Sequence, residues 1–151
     1  MSSLPLVTPS LVVLDTNVVL DLWLFADPRV APLRAALQAG RAQALVTEAT
    51  LAELSHVLQR PFAQAWATAV DTVLAGLGAC SREVPPPPRQ APLPPRCSDE
   101  DDQKFVDLAW GWPAAWLLSR DRAVLRLARA ARSRGLRIGT PEAWVATQLP
   151  G

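Results

Sequence analysis

Apolar positions along this chain fall into short continuous runs separated by longer helical stripes. Leu11-Val12-Val13-Leu14 is such a run and stops at Asp15, the pattern of a strand buried on both faces of a parallel sheet. Ala44 to Thr47, Ala114 to Ser119 and Leu136 to Gly139 repeat the pattern, so four strands are predicted. Between them the spacing is helical. Helices are predicted over about 18–25 and 30–39, the second closed by Gly40 at a C′ position. Leu51, Leu54, Val57 and Leu58 stripe a helix over 48–59 that Arg60-Pro61 ends. A further helix covers 62–77 and stops at Gly78. Ser98 is the expected N-cap of a helix starting at Asp99, with Phe105, Leu108 and Ala109 on its apolar face. A helix from Arg122 to Arg134 stops at Gly135, and Pro141 opens a last one through Val145. This alternation predicts an α/β fold, a three-layer α/β/α sandwich around a central, mostly parallel sheet.

One interval breaks the alternation. Residues 85–96 hold seven of the 15 prolines and predict a stiff polyproline II connection, which cannot enter a sheet interior. A spacer across one edge of the domain is the expectation; docking on a partner's aromatic groove is the alternative. The remaining 55 or so residues continue the same pattern, so 1–151 is read as a single domain. Half the residues are hydrophobic and 19% are charged, which excludes an intrinsically disordered chain. Cys80 and Cys97 are too few for a disulfide scaffold and fit no zinc spacing. No basic segment leads into an apolar run near Met1, and no stretch reaches the ~18 apolar residues of a membrane span. A cytoplasmic protein without a membrane partner is expected.

Charge alters the picture only through its placement. Fifteen basic and 14 acidic groups leave a net +1, which by itself carries no polyanion signal. Fourteen of the basic residues are Arg, a bias that codon usage in a GC-rich genome explains better than a preference for phosphate. The acids are more telling. In an open α/β sheet, ligands bind beyond the carboxyl ends of the strands. Asp15 ends the first strand, Asp121 follows the third, and Asp99-Glu100-Asp101-Asp102 opens the helix before it. Glu53 lies in the first turns of the helix after the second strand. Four segments thus carry carboxylates to one edge. Like charges gathered there raise each other's pKa, and a hard divalent cation resolves the repulsion. Mg²⁺ or Mn²⁺, one ion or two, suits an all-oxygen set better than Zn²⁺. Such a centre suits phosphodiester hydrolysis.

Leu14-Asp15-Thr16-Asn17 resembles the opening motif of PIN-domain nucleases. The string from Cys97 to Ala109 is similar to the third-acid region of the PIN subfamily of toxin–antitoxin toxins, and Leu117-Leu118-Ser119-Arg120-Asp121 to its fourth motif. The resemblance spans about Leu11 to Trp144. It implies that Asp15, Glu53, Asp102 and Asp121 are the catalytic, metal-binding acids, with Asp101 the next choice for the third. Glu100 stands where the subfamily commonly has proline. Thr16, Asn17 and Ser119 match polar positions that support the acids. The resemblance further implies an endoribonuclease of the VapC type, acting on single-stranded RNA, assembled as a homodimer and neutralised by a cognate antitoxin protein. The alternative is a non-catalytic PIN-fold scaffold that binds RNA or protein.

Other features are weighed beside these. Arg120, Arg122, Arg126 and Arg129 stand nearest Asp121, the last three on one helical stripe that is either phosphate-facing or simply solvated. His56 lies on the Glu53 helix without a metalloprotease pattern, so a structural or surface role is expected. Trp23, Trp66 and Trp116 are expected in the core or in helix packing, and Trp110 and Trp112 partly exposed. A response-regulator receiver needs a lysine near its last strand, whereas Lys104 precedes the third. A haloacid-dehalogenase-type phosphatase needs an acid where Asn17 stands. Setting the four acids aside for metal leaves 15 basic groups against 10 acids, or +5, on the rest of the protein.

Overall fold

The computed structural model describes residues 8–64 and 67–148. The apolar runs become strands: β1 (Ser10–Leu14), β2 (Ala42–Val46), β4 (Trp116–Leu118) and β5 (Arg137–Gly139), joined by β3 (Ser81–Glu83). They form one all-parallel sheet in the order β3-β2-β1-β4-β5. Side chains of β1 alternate between two cores. Val12 and Leu14 pack with α1 (Thr16–Trp23), α2 (Ala31–Gln38), α3 (Glu48–Leu58), α4 (Pro61–Gln64), α5 (Ala67–Cys80) and α9 (Pro141–Gln148). Val13 packs on the opposite face with α6 (Gln103–Gly111), α7 (Arg122–Leu125) and α8 (Ala128–Ala131). Both faces of the central strand are therefore apolar, which is why β1 reads as an unbroken hydrophobic run. The result is a three-layer α/β/α sandwich.

Close packing constrains two glycines. A Cβ on Gly76 of α5 would lie 2.3 Å from Nε1 of Trp23, so glycine lets α1 and α5 approach. A Cβ on Gly111 would meet Pro87 at 2.2 Å. That second contact belongs to the proline segment, which runs as a strap over α6. Trp112 Nε1 donates to the Pro85 carbonyl at 2.8 Å, Trp110 Nε1 to Pro92 at 2.9 Å, and Gln103 Nε2 to Pro95 at 3.1 Å. The spacer of the sequence reading is thus fastened by this chain's own tryptophans.

Several expectations change. Residues 81–83 form a fifth strand that polar, half-exposed Ser-Arg-Glu conceals; as an edge strand it pairs through its backbone and needs no apolar run. Helix α5 continues through Gly78 to Cys80. Asp99, not Ser98, caps the acidic segment, which is a 3-10 turn over Glu100–Asp102 before α6. The predicted helix 122–134 breaks into α7, α8 and a 3-10 turn. Trp110 is buried rather than partly exposed, because the strap covers it, and Trp112 is half-buried under Arg82. Trp66 lies outside the described residues. Among the described residues no helix is long and apolar enough to cross a membrane.

Candidate metal centre

The chain leaves β1 toward β2 on one side and returns as β4 on the other. The connections after β1 and β4 therefore diverge, and a crevice opens at the carboxyl ends of these two strands. Asp15 is the first residue beyond β1. Its extended backbone places it as N-cap of α1, and its Oδ1 accepts the Val18 N–H at 3.0 Å. Its Oδ2 accepts a short hydrogen bond from the hydroxyl of Ser119, the residue directly after β4. Ser119 is fully buried, and its Oγ also accepts the Asp121 N–H at 3.0 Å. One hydroxyl thus locks together the ends of two neighbouring strands. Asp121 Oδ1 accepts the Ala123 N–H at 2.8 Å and caps α7.

The acidic turn closes the crevice from the α6 side. Asp99 Oδ1 accepts the Asp101 N–H at 3.0 Å, which shapes the turn. Asp102 stands at the N-cap of α6 yet makes no cap bond there. Its Oδ2 is buried and has no hydrogen-bond partner. Asp99, Asp102 and Asp121 each offer a carboxylate oxygen, all within 4.8 Å of one another. Glu53 reaches the crevice from α3, and both its oxygens are engaged: Oε2 by the Thr16 hydroxyl, Oε1 by Lys104 Nζ at 2.7 Å. Lys104 also donates to the Asp101 carbonyl at 2.5 Å. These acids line an open cleft of about 340 Å³.

The electrostatics follow from that crowding. Burial is the main cause that pushes Asp15 up to about 6; the nearby Asp121 charge adds to it, while the Ser119 and Val18 hydrogen bonds pull it back. Burial likewise heads the causes that push Asp102 up to about 7, followed by the Asp121 carboxyl beside it and the charges of Asp99 and Asp15. Carboxyl groups this close need a shared proton or a cation between them. The orphaned Asp102 Oδ2 is an acceptor lacking its partner, and among the described residues no His or Cys lines the cleft. Burial, and with it the charges of Asp102, Asp121 and Asp99, push the Cys97 thiol up. An oxygen-only donor set fits a hard divalent cation.

The sequence-predicted residues fall as follows. Asp15, Asp102 and Asp121 converge; Glu53 joins their cleft, clamped by Thr16 and Lys104. Asp101 also lines the cleft but is exposed, and Asp99 rather than Asp101 stands with Asp102 and Asp121. Thr16 supports Glu53, Ser119 supports Asp15, and Asn17 is exposed within the cleft. The arginines are placed differently from the single helical stripe expected. Arg120 is held by Asp21 through Nε at 2.5 Å and by Glu142 through Nη1 at 2.9 Å, so its charge is already matched. Arg122, Arg126 and Arg129 are exposed but lie across the break between α7 and α8, so no continuous helical stripe carries them. Arg60 and Lys104 are the cations that pattern reading missed at this site. A lone lysine in an arginine-rich chain was a usable signal for the second; nothing local marks the first.

Fold and cleft define a small α/β domain with a carboxylate cluster at its topological switch, an oxygen-only donor set of the kind that suits a divalent metal. The family model of the PIN domain matches residues 11–123, a span that takes in every acid of the cleft, and the chain belongs to that family. PIN domains are generally nucleases and typically use divalent metals. No curated protein gives a match to the chain.

Proposed function

We propose that this PIN domain is a Mg²⁺- or Mn²⁺-dependent endoribonuclease that cleaves single-stranded RNA. The observation that carries the metal-dependent reading is the Asp99–Asp102–Asp121 cluster, with a buried Asp102 oxygen that lacks a partner. Asp102, Asp121 and Asp99 would hold the cation, with Asp15 and Glu53 beside them. When bound, a divalent cation lowers the pKa of a water and offsets charge on the attacked phosphate. The chain's own groups do the positioning. Val18 N–H and Ser119 fix the Asp15 carboxylate in one orientation, and Thr16 and Lys104 do the same for Glu53. Such fixed geometry spares reorganisation during reaction. Arg60, exposed on the cleft wall, is set to meet a phosphate of the strand.

The single-stranded RNA substrate and the toxin role rest on the likeness of residues 97–109 and 117–121 to the toxin subfamily, which also brings a homodimer and a protein antitoxin. The filled set of acids weighs against a scaffold that has lost catalysis. The test is cleavage of labelled single-stranded RNA in Mn²⁺ by wild type, Asp15→Asn and Asp121→Asn. Wild type should cleave and both variants should lose at least a hundredfold; equal cleavage by all three, or none by wild type across varied RNAs, refutes the reading. For the toxin role, induced wild type should arrest growth and Asp15→Asn should not. A harmless wild-type protein would overturn that part.

A further inference from the structure

A second cavity, of about 330 Å³, lies beneath the proline strap against the C-terminal half of α6. One part of its wall is apolar, built by Pro87, Pro88 and Leu93. The other part is lined by Arg89, Arg96 and Arg134. Among the described residues none of these three has a carboxylate within 4.0 Å. Asp107, the one acid of the wall among the described residues, accepts at Oδ1 from the Gln103 side-chain amide at 2.9 Å. Three cations against one anion leave an excess of positive charge. The walls are also fixed in advance. Trp110, Trp112 and Gln103 fasten the strap by three hydrogen bonds, and the Arg134 guanidinium lies 4.9 Å over the Trp110 ring.

Arginine forks match phosphate oxygens bidentately, and guanidinium planes and apolar side chains are surfaces that cover the face of a nucleobase. The volume falls at the small end of ligand sites, enough for one nucleotide. We propose that this pocket binds a single nucleotide unit, its phosphate on Arg89, Arg96 and Arg134 and its base on the proline and leucine wall. The unit is a free mononucleotide or one residue of a single-stranded RNA; only the second form rests on the proposed RNA substrate. At 1.5 Å rise per residue, α6 separates Gly111 in this pocket from Gln103 at the acidic turn by about 12 Å. The wall also includes Asp107, about 6 Å along α6 from Gln103 and hydrogen-bonded to its side chain.

Binding is measured in EDTA, where cleavage does not interfere. Fluorescence anisotropy follows a labelled hexaribonucleotide, and calorimetry follows AMP, on wild type and on Arg89→Ala/Arg96→Ala. Both replaced side chains are exposed on the strap, and an unchanged melting temperature confirms the fold. Wild type should bind at least tenfold more tightly than the variant. AMP that displaces the oligonucleotide, or an oligonucleotide that binds while AMP does not, assigns the pocket to the strand; AMP that binds without displacing it assigns the pocket to the free nucleotide. Equal affinity of wild type and variant for both ligands overturns the site. Inorganic phosphate that competes as well as AMP overturns the base-stacking wall. Metal-dependent cleavage, run separately, reports on the nuclease reading: its failure with Arg-dependent binding intact sinks that reading alone.

Discussion

Replacing Asp15 by Asn should stabilise the metal-free protein at alkaline pH while abolishing its activity. Asp15 is 4% exposed, and its carboxyl is pushed from the ordinary 3.8 to about 6, mainly by burial. The sign follows from linkage. A carboxyl with a raised folded pKa contributes its full stability below about pH 4 and loses it as pH rises through about 6. Beyond that, the buried charge costs about 3 kcal/mol at 1.36 kcal/mol per pH unit. Asn removes the charge and keeps Oδ1 for the Val18 N–H. Its amide N–H then donates to the Ser119 oxygen, and the Ser119 O–H loses the Oδ2 acceptor it had, so part of the gain is lost. A net gain of about 1–3 kcal/mol is expected, roughly 2–12 °C in Tm for a chain of this size. The assay is thermal unfolding of both proteins in EDTA at about pH 8 and pH 4. The variant should melt higher at pH 8, and the gap should close at pH 4. Saturating Mn²⁺ at pH 8 should then stabilise wild type by about 2.7 kcal/mol at a hundred times its Kd, and the variant by less. A variant no more stable than wild type at pH 8, or a gap unchanged at pH 4, would refute the account of a strained acid relieved by metal.

Three further outcomes follow from the geometry. Ser119→Ala leaves the Asp121 N–H without its acceptor and deprives Asp15 of the hydroxyl that lowers its pKa. It should cost about 1–3 kcal/mol in urea unfolding and shift the pH midpoint of Mn²⁺ binding upward; an unmoved midpoint would deny Ser119 its positioning role. Gly76→Ala gains about 1 kcal/mol of helix propensity yet drives a Cβ into the Trp23 indole, so it should destabilise by a net 0–2 kcal/mol, and a clear stabilisation would show that α1 and α5 can part freely. Trp112→Phe keeps a ring under Arg82 but removes the 2.8 Å bond to Pro85. Stability should fall by about 0.5–1.5 kcal/mol, and trypsin should cut faster after Arg89 and Arg96; unaltered proteolysis would mean that the strap does not depend on this bond.

Much of the architecture was legible from local pattern alone. Both faces of the central strands are covered, so β1 and β2 appear as continuous apolar runs, and each ends at the polar residue that opens the next helix, Asp15 or Thr47. An acid that follows a strand lands at the carboxyl edge whatever the rest of the chain does, which is why Asp15 and Asp121 could be placed beforehand. Edge strand β3 was not legible, because backbone pairing leaves no mark on a Ser-Arg-Glu sequence. Nor was the choice among Asp99, Asp101 and Asp102. That depends on the curvature of a 3-10 turn, which brings oxygens of Asp99 and half-buried Asp102 together with Asp121 and leaves Asp101 out of that group.

By itself, then, the sequence determined the strand–helix alternation, the parallel sheet and the segments that bring acids to its edge, since these depend on periodicities of a few residues. Tertiary structure decided which oxygens face one another and which charges are already matched. Glu53 and Lys104 are 51 positions apart, and Arg120 and Asp21 are 99 apart. No local pattern encodes such pairs. The strap over Trp110 and Trp112 is of the same kind: its composition specifies a stiff, extended segment, but only packing against α6 specifies the surface that the segment covers.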